Sequence, residues 1–167
     1  MPRLVQISQL ALERAYSRFR GRMNKNSFLD GEGNLTGFLG EEMFKTIFPA
    51  AKHVDSIDYD FLSENGVKVE VKTKKQNAPS EPLKSYEGSV AETSCHQNPD
   101  FYSFFRVYFD GKTFPYGWYM GSISRASLYK YGTKLKQGEK NGNNGFSVKV
   151  NCINIPYSFL SEKHQNI

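Results

Sequence analysis

Residues 58–72 read Asp-Tyr-Asp-Phe-Leu-Ser-Glu-Asn-Gly-Val-Lys-Val-Glu-Val-Lys, and the way this stretch pairs with itself decides the fold. Its second half alternates cleanly. Val67, Val69 and Val71 share one face, and Lys68, Glu70 and Lys72 share the other, the two-residue period of a strand. Ser63-Glu64-Asn65-Gly66 is a turn signal between two β-prone runs, so strands are expected over 57–63 and 67–73. A two-residue Asn65-Gly66 turn would set Phe61 opposite Glu70 and Asp60 opposite Val71. A three-residue loop, Glu64 to Gly66 with Gly66 left-handed, shifts the pairing by one. Phe61 then faces Val69 and Tyr59 faces Val71 on the apolar side, while Asp60 faces Glu70 and Asp58 faces Lys72 on the polar side. Only this register matches apolar with apolar throughout, and a slip of one residue would exchange the faces.

The consequence is chemical. Asp60 and Glu70 are brought to about 5 Å from each other on neighbouring strands. Carboxylates that close repel unless a cation sits between them, and magnesium suits such a pair, being a hard ion held by one or two carboxylates, waters and phosphate oxygens. Lys72 is two residues from Glu70 and therefore on the same face. There its ammonium can orient, or help deprotonate, a metal-activated water attacking a phosphodiester.

Upstream, residues 3–23 read as an amphipathic helix, with Leu4, Ile7, Leu10, Ala11, Ala15 and Phe19 at three- and four-residue steps and a basic second half that includes Arg14 and Arg18. Residues 24–34 form a loop by composition. A second helix is expected over about 35–48, ended by Pro49. It holds Gly37 and Gly40, each costing about 1 kcal/mol against Ala in a helix, which points to close approach of another element. Downstream, residues 76–99 are polar, with a short helix around 86–96. Residues 100–109 form a strand, Asp110-Gly111 a turn, Tyr116 to Ile123 a strand, Ser124 to Tyr131 a short helix and 137–145 a loop. A last strand runs from Phe146 to Ile155, with Phe146, Val148, Val150 and Cys152 on one face. Helices interleaved with strands imply one α/β layer architecture with a mixed central sheet flanked by helices.

Asp60 followed by Glu70-Val71-Lys72 resembles the signature of the PD-(D/E)XK nuclease superfamily, in which an Asp ends or interrupts one strand and E-x-K lies in the next. Gly37-Phe38-Leu39-Gly40-Glu41 resembles the G-x-x-G-E start of the first core helix in its restriction-enzyme-like and resolvase-like branches. The resemblance spans residues 35 to about 110 of a single domain over 1–167, with the helix at 3–23 and residues 111–160 as additions. The Pro of the family name is replaced by Tyr59. The family pattern implies a restriction-endonuclease-like α-β-β-β-α-β core and Mg²⁺-dependent hydrolysis of DNA, with Mn²⁺ able to substitute. By the same resemblance Asp60, Glu70 and Glu41 hold metal and Lys72 serves the attacking water. Asp58 competes with Asp60 for its role, and Glu42 with Glu41. A homodimer is implied too, because a duplex cutter of this size needs two active sites. Lys74, Lys75 and Gln76, just beyond the triplet, are candidates for contacting phosphate, as are Arg14 and Arg18 on the first helix and the loop at 138–145.

The composition agrees with a folded domain that has polyanionic partners. The chain has 167 residues, a net charge of +5, 38% hydrophobic residues, and 13 Phe, 10 Tyr and one Trp, enough large rings to build a core. Basic balance attracts nucleic acid through Coulomb forces and counterion release. Cys95 and Cys152 are too few for a disulfide scaffold. No apolar run approaches the ~18 residues of a membrane span, and no signal-peptide core is visible. The expectation is a cytoplasmic protein of a prokaryotic or phage-infected cell, without membrane or small-molecule cofactor. His53, His96 and His164 have no metal-ligand spacing, and Cys95-His96 is too little for zinc. Trp118, Tyr116 and Tyr119 are assigned to strand packing, with base stacking as the other use of such rings. Two further functional classes stay open. One is a catalytically inactive nucleic-acid-binding module derived from such a nuclease. The other is a protein whose strand face is merely salt-bridged, Asp58 with Lys72 and Glu70 with Lys68.

Overall fold

The computed structural model describes residues 2–22, 32–54, 56–92, 97–142 and 145–161. In chain order the elements are β1 (Arg3–Gln6), α1 (Gln9–Arg22), α2 (Glu32–Ile47), β2 (Lys52–His53), β3 (Phe61–Leu62), β4 (Lys68–Gln76), β5 (Glu87–Ala91), β6 (Phe101–Tyr108), β7 (Tyr116–Ser124), α3 (Arg125–Tyr131), β8 (Thr133–Leu135) and β9 (Cys152–Pro156), with a short 3₁₀ turn at Tyr157–Phe159. Six strands make a mixed sheet in the order β1-β7-β6-β4-β3-β2, and three make a second sheet in the order β5-β9-β8. Only β4 and β6 run parallel; the other pairs are antiparallel.

The central strands are long and apolar because both of their faces are covered. On one face α1 and α2 bury Ala15, Leu39, Met43 and Phe44 against Phe61, Val69, Val71, Phe105 and Val107. On the other, Tyr102, Phe104, Trp118 and Met120 pack against Val90, Ile153 and Ile155 of the small sheet and Leu128 of α3. Trp118 is thus a core residue, as its strand assignment requires. The alternation along β6 sends Tyr102 and Phe104 to one layer and Phe105 and Val107 to the other.

The hairpin forms in the register that burial demands, with Phe61 opposite Val69 and Leu62 opposite Lys68. Gly66 takes φ +77°, the left-handed conformation that residues with a Cβ resist. The paired stretch is shorter than expected: β3 holds two residues instead of 57–63. The ladder stops where Asp60 begins. Its amide donates to the Val69 carbonyl at 3.0 Å, one residue out of register, and its side chain accepts from the Val71 amide at 2.8 Å, taking the place of a ladder carbonyl. No strand pairing therefore carries Tyr59 to Val71 or Asp58 to Lys72.

Four other expectations are corrected. Residues 3–6 are not helical. They pair with β7, from Arg3 opposite Tyr119 to Gln6 opposite Tyr116, which buries Val5. The helix starts after Ser8, whose hydroxyl accepts the Ala11 amide at 3.1 Å in the manner of an N-cap. Residues 87–91 form a strand, not the expected helix, because five residues ladder with β9 and Gly88 lies where any Cβ would sit 2.4 Å from the Phe104 ring. The crossover between parallel β4 and β6 therefore passes through a strand of the second sheet among its described residues, where the family pattern has a helix. The last strand begins at Cys152, and Phe146, expected to open that strand on one face with Cys152, lies outside it and is 75% exposed. Of the expected loop at 24–34, residues 24–31 lie outside the described residues, and α2 already begins at Glu32.

The mixed α/β class is as expected. No helix among the described residues is long and apolar enough to cross a membrane.

Candidate functional site

Two short-range features place the polar residues. Gly40 of α2 lies so close to β4 that a Cβ there would come within 1.8 Å of Thr73 Oγ1. That close approach is the reason for a glycine mid-helix, and it sets the next residue, Glu41, beside the hairpin. Gly37, by contrast, faces open space. The early end of β3 turns Asp60 into the gap between strand and helix.

Glu70 is buried, 5% exposed. Its Oε1 accepts from Lys72 Nζ at 2.7 Å and from Gln97 Nε2 at 3.1 Å. Gln97 also donates to the Ile57 carbonyl at 3.2 Å, and its own Oε1 lies 3.4 Å from Lys72 Nζ, so it ties the charged strand to the segment before Asp60. Asp60 is half-buried, and its carboxyl is pushed up to about 8, first by burial, then by the negative charges of Glu70 and Glu41; the Val71 N–H and Lys72 pull the other way. Glu70, Lys72 and the α2 carboxylate Glu41 thus all act electrostatically on Asp60.

Glu41 is held differently. Its Oε2 accepts from Arg18 Nη2 at 2.6 Å and lies 3.0 Å from His53 Nε2. Burial raises its pKa, but the hydrogen bond to His53 and the Arg18 charge outweigh this and hold it below the usual carboxylate range. Glu42 instead is raised, by burial first, with Arg14 3.7 Å away. Glu41 therefore remains charged more readily than Glu42, and it is Glu41 whose charge reaches Asp60. Among the described residues Asp58 makes no ion pair; its amide bonds Ser56 Oγ. The pairing expected of an ordinary charged strand face, Asp58 with Lys72 and Glu70 with Lys68, does not form: Lys72 pairs with Glu70, and Lys68 Nζ lies over the Tyr59 ring.

The residues named as phosphate contacts are mostly engaged elsewhere. Arg18 is on Glu41 and Arg14 on Glu42. Lys74 points into the molecule, donating to the Glu87 carbonyl at 3.0 Å and Ser89 Oγ at 2.8 Å. Its amine is pushed down to about 8, by burial and then by the Arg106 charge. Lys75 lies over the Phe109 ring. Gln76 Nε2 bonds the carbonyls of Ala78 and Ser80. Two open clefts of about 840 and 1130 Å³ flank Lys74, and neither is lined by Asp60, Glu70 or Lys72; the charge cluster, not these volumes, marks the site.

Sequence reasoning passed over Gln97 and His53. Gln97 sits in a polar loop with no motif around it. His53, dismissed for want of a second histidine at ligand spacing, finds its carboxylate on a helix that folds back over it. Cys95, His96 and His164 lie outside the described residues.

The carboxylates each keep one oxygen outside these bonds: Glu41 Oε1, Asp60 Oδ1 and Glu70 Oε2. Such oxygens are hard donors, suited to magnesium or manganese. Three carboxylates face two permanent cations, Arg18 and Lys72, and the charges of Glu70 and Glu41 add to the burial that raises the pKa of Asp60. The donor chemistry therefore fits a divalent ion, although no three His, Cys, Asp or Glu side chains among the described residues stand together at metal-holding spacing. No protein-family model matches this chain, and no curated protein is significantly similar to it.

Proposed function

We propose that the protein is a metal-dependent nuclease hydrolysing DNA phosphodiesters, built on a restriction-endonuclease-like core. The observation that supports this reading is that Glu70 and Lys72 of the hairpin and Glu41 of the preceding helix all act on the carboxyl of Asp60, which burial first, and then the two carboxylates, drive toward its neutral form. Asp60, Glu70 and Glu41 would hold the ion. When bound, it supplies Lewis acidity and lowers the pKa of a water. The Asp60 carboxyl is fixed by the Val71 amide, so the oxygen it presents is oriented before any ligand arrives. Gln97 holds Glu70 from one side and leaves Lys72 within reach of the same carboxylate oxygen. Lys72, once relieved of Glu70, has an ammonium free to position a water or neutralise charge on a phosphoryl oxygen.

A second reading, a nucleic-acid-binding module that does not cut, is favoured by one observation. Lys72 and Gln97 on Glu70, with Arg18 and His53 on Glu41, already occupy one oxygen of each carboxylate.

Supercoiled, linear, single-stranded and four-way-junction DNA incubated with Mg²⁺ or Mn²⁺, with chelator controls, separates the two. Metal-dependent cutting that falls at least ~100-fold in both Lys72→Ala and Glu70→Gln establishes the nuclease. DNA binding without cutting of any form establishes the module.

A further inference from the structure

We infer that α3 and the 3₁₀ turn beside it form an aromatic platform that stacks the unpaired bases of single-stranded nucleic acid next to Glu70. The inference rests on the nuclease reading for its position and names that site's substrate class.

The register fixes the location. Glu70 lies opposite Tyr102 of β6, and Tyr102 lies opposite Ile123 of β7. Two strand spacings, about 10 Å, therefore separate Glu70 from the residue at which β7 turns into α3. Ser124 caps the helix by accepting the Ser127 amide, and Leu128 is fully buried beneath it, so the helix is fixed to the core. The Arg125 amide donates to the Asp100 carbonyl, and Asp100 Oδ2 accepts from the Lys68 amide, tying α3 to the end of β4 that carries Glu70.

The platform itself is two rings that the core does not use. Tyr131 and Phe159 are 50% and 54% exposed. They are stacked, 6.0 Å apart with 28° between their planes. Lys130 Nζ lies 4.9 Å over Tyr131, and on the same helix Arg125 lies 5.1 Å over Tyr129. Rings this exposed beside each other on a basic surface have the composition of a base-stacking site.

Charge selects the occupant. Between Gly117 and Gly138 the sequence holds four Lys or Arg residues (125, 130, 134 and 136) and no Asp or Glu. Among the described residues none of the four makes an ion pair, so their charge is available to an anionic backbone. Platform and site are joined through the core: the Tyr102 hydroxyl and Arg125 Nε are both sealed from solvent, and the Arg125 side chain faces that hydroxyl. A polyanion with an aromatic face satisfies the surface on both counts. Duplex DNA hides its base faces and offers only the charge.

The test is fluorescence anisotropy of the full chain in chelator, where no cutting occurs, with a short labelled DNA single strand and the matching duplex. Lys72→Ala and wild type are expected to bind the single strand more tightly than the duplex. Tyr131→Ala and Phe159→Ala each weaken single-strand binding roughly ten-fold, with unchanged melting temperature because both rings are exposed, and Tyr131→Phe restores it. Unchanged binding in both alanine variants overturns the platform, as does equal affinity for duplex. Binding of wild type to phosphatidylserine vesicles in place of the oligonucleotide, or a self-association that the variants abolish, assigns the patch to another occupant and also overturns it. The two readings fail separately: cutting that survives Lys72→Ala removes the catalytic assignment, and stacking that survives the ring deletions removes the platform.

Discussion

Two polar clusters lie along the same face of β4, and they are built on opposite terms. At Lys74 the groups match. Glu87 Oε2 accepts from Asn141 at 2.6 Å and Asn154 at 3.1 Å; Asn154 Oδ1 accepts from Ser89 at 2.6 Å; Ser89 and the Glu87 carbonyl take the Lys74 ammonium. One buried carboxylate has one buried cation and two amides around it. Four residues earlier, three carboxylates meet Lys72 and Arg18, and Asp60 has a single backbone N–H as its partner. Satisfied buried networks hold a fold in one conformation. An excess of one charge, kept half-open, is unfavourable for folding and is the pattern of a site that completes itself with a ligand. Neighbours on one strand thus separate a matched network from the proposed site, and the difference is countable in partners, not in residue types.

The comparison can be broken by substitution. The largest expected effect is on activity: Glu70→Gln and Lys72→Ala should each cost at least ~100-fold in metal-dependent cutting while circular dichroism melts stay close to wild type. A variant that cuts normally ends the functional half of the comparison. Next comes stability at the matched cluster. Asn154→Ala removes one donor from Glu87 and the acceptor of Ser89 and Cys152, and should lose about 2–4 kcal/mol in urea unfolding, with cutting per folded molecule unchanged. Loss of cutting without loss of stability would reverse the assignments of the two clusters.

Asp60→Asn sharpens the contrast, because Asn keeps an acceptor for the Val71 amide and removes the charge. Asp60 titrates near 8 when folded and near the ordinary 3.9 when unfolded. Between those values the folded state holds the extra proton, so wild-type stability falls as pH rises from about 4 to about 8. The variant should be the more stable at pH 8, by at least on the order of 1 kcal/mol, and the gap should close toward pH 4. Mn²⁺ should raise the melting temperature of wild type at pH 8 and leave the variant where it is. The smallest effect is expected of Lys74→Met. Lys74 titrates near 8 folded and near 10.4 unfolded, so the unfolded state holds more protons between those values and wild-type stability rises there. The variant escapes the burial cost of Lys74 but leaves Glu87 without its cation, so it should lie within ~1 kcal/mol of wild type at pH 7 and fall behind as pH climbs through 8 to 10. Thermal melts across that range would show the curves diverge; parallel curves would mean that Lys74 is solvated.

Much of this was legible locally. The three-residue loop, the left-handed Gly66, the pairing of Phe61 with Val69 and the common face of Glu70 and Lys72 follow from alternation and turn chemistry within fifteen residues. The extents of β6, β7 and α3 follow from runs of rings and a serine cap, and the glycine at 40 announced a close approach. What was not legible is what distant chain decides. β1 is a strand because β7, more than a hundred residues later, offers it an edge; by itself Arg3–Gln6 continues a helical pattern. β5 is a strand because β9 and the Phe104 ring shape its place. Gln97 and His53 acquire roles only when folding sets them against Glu70 and Glu41. Periodicity reports which face a residue shares with its neighbours in sequence. It carries no information on which burial, partner and charge the rest of the molecule brings to that face, and those decide whether a lysine two residues along the same strand becomes part of a site or part of the core.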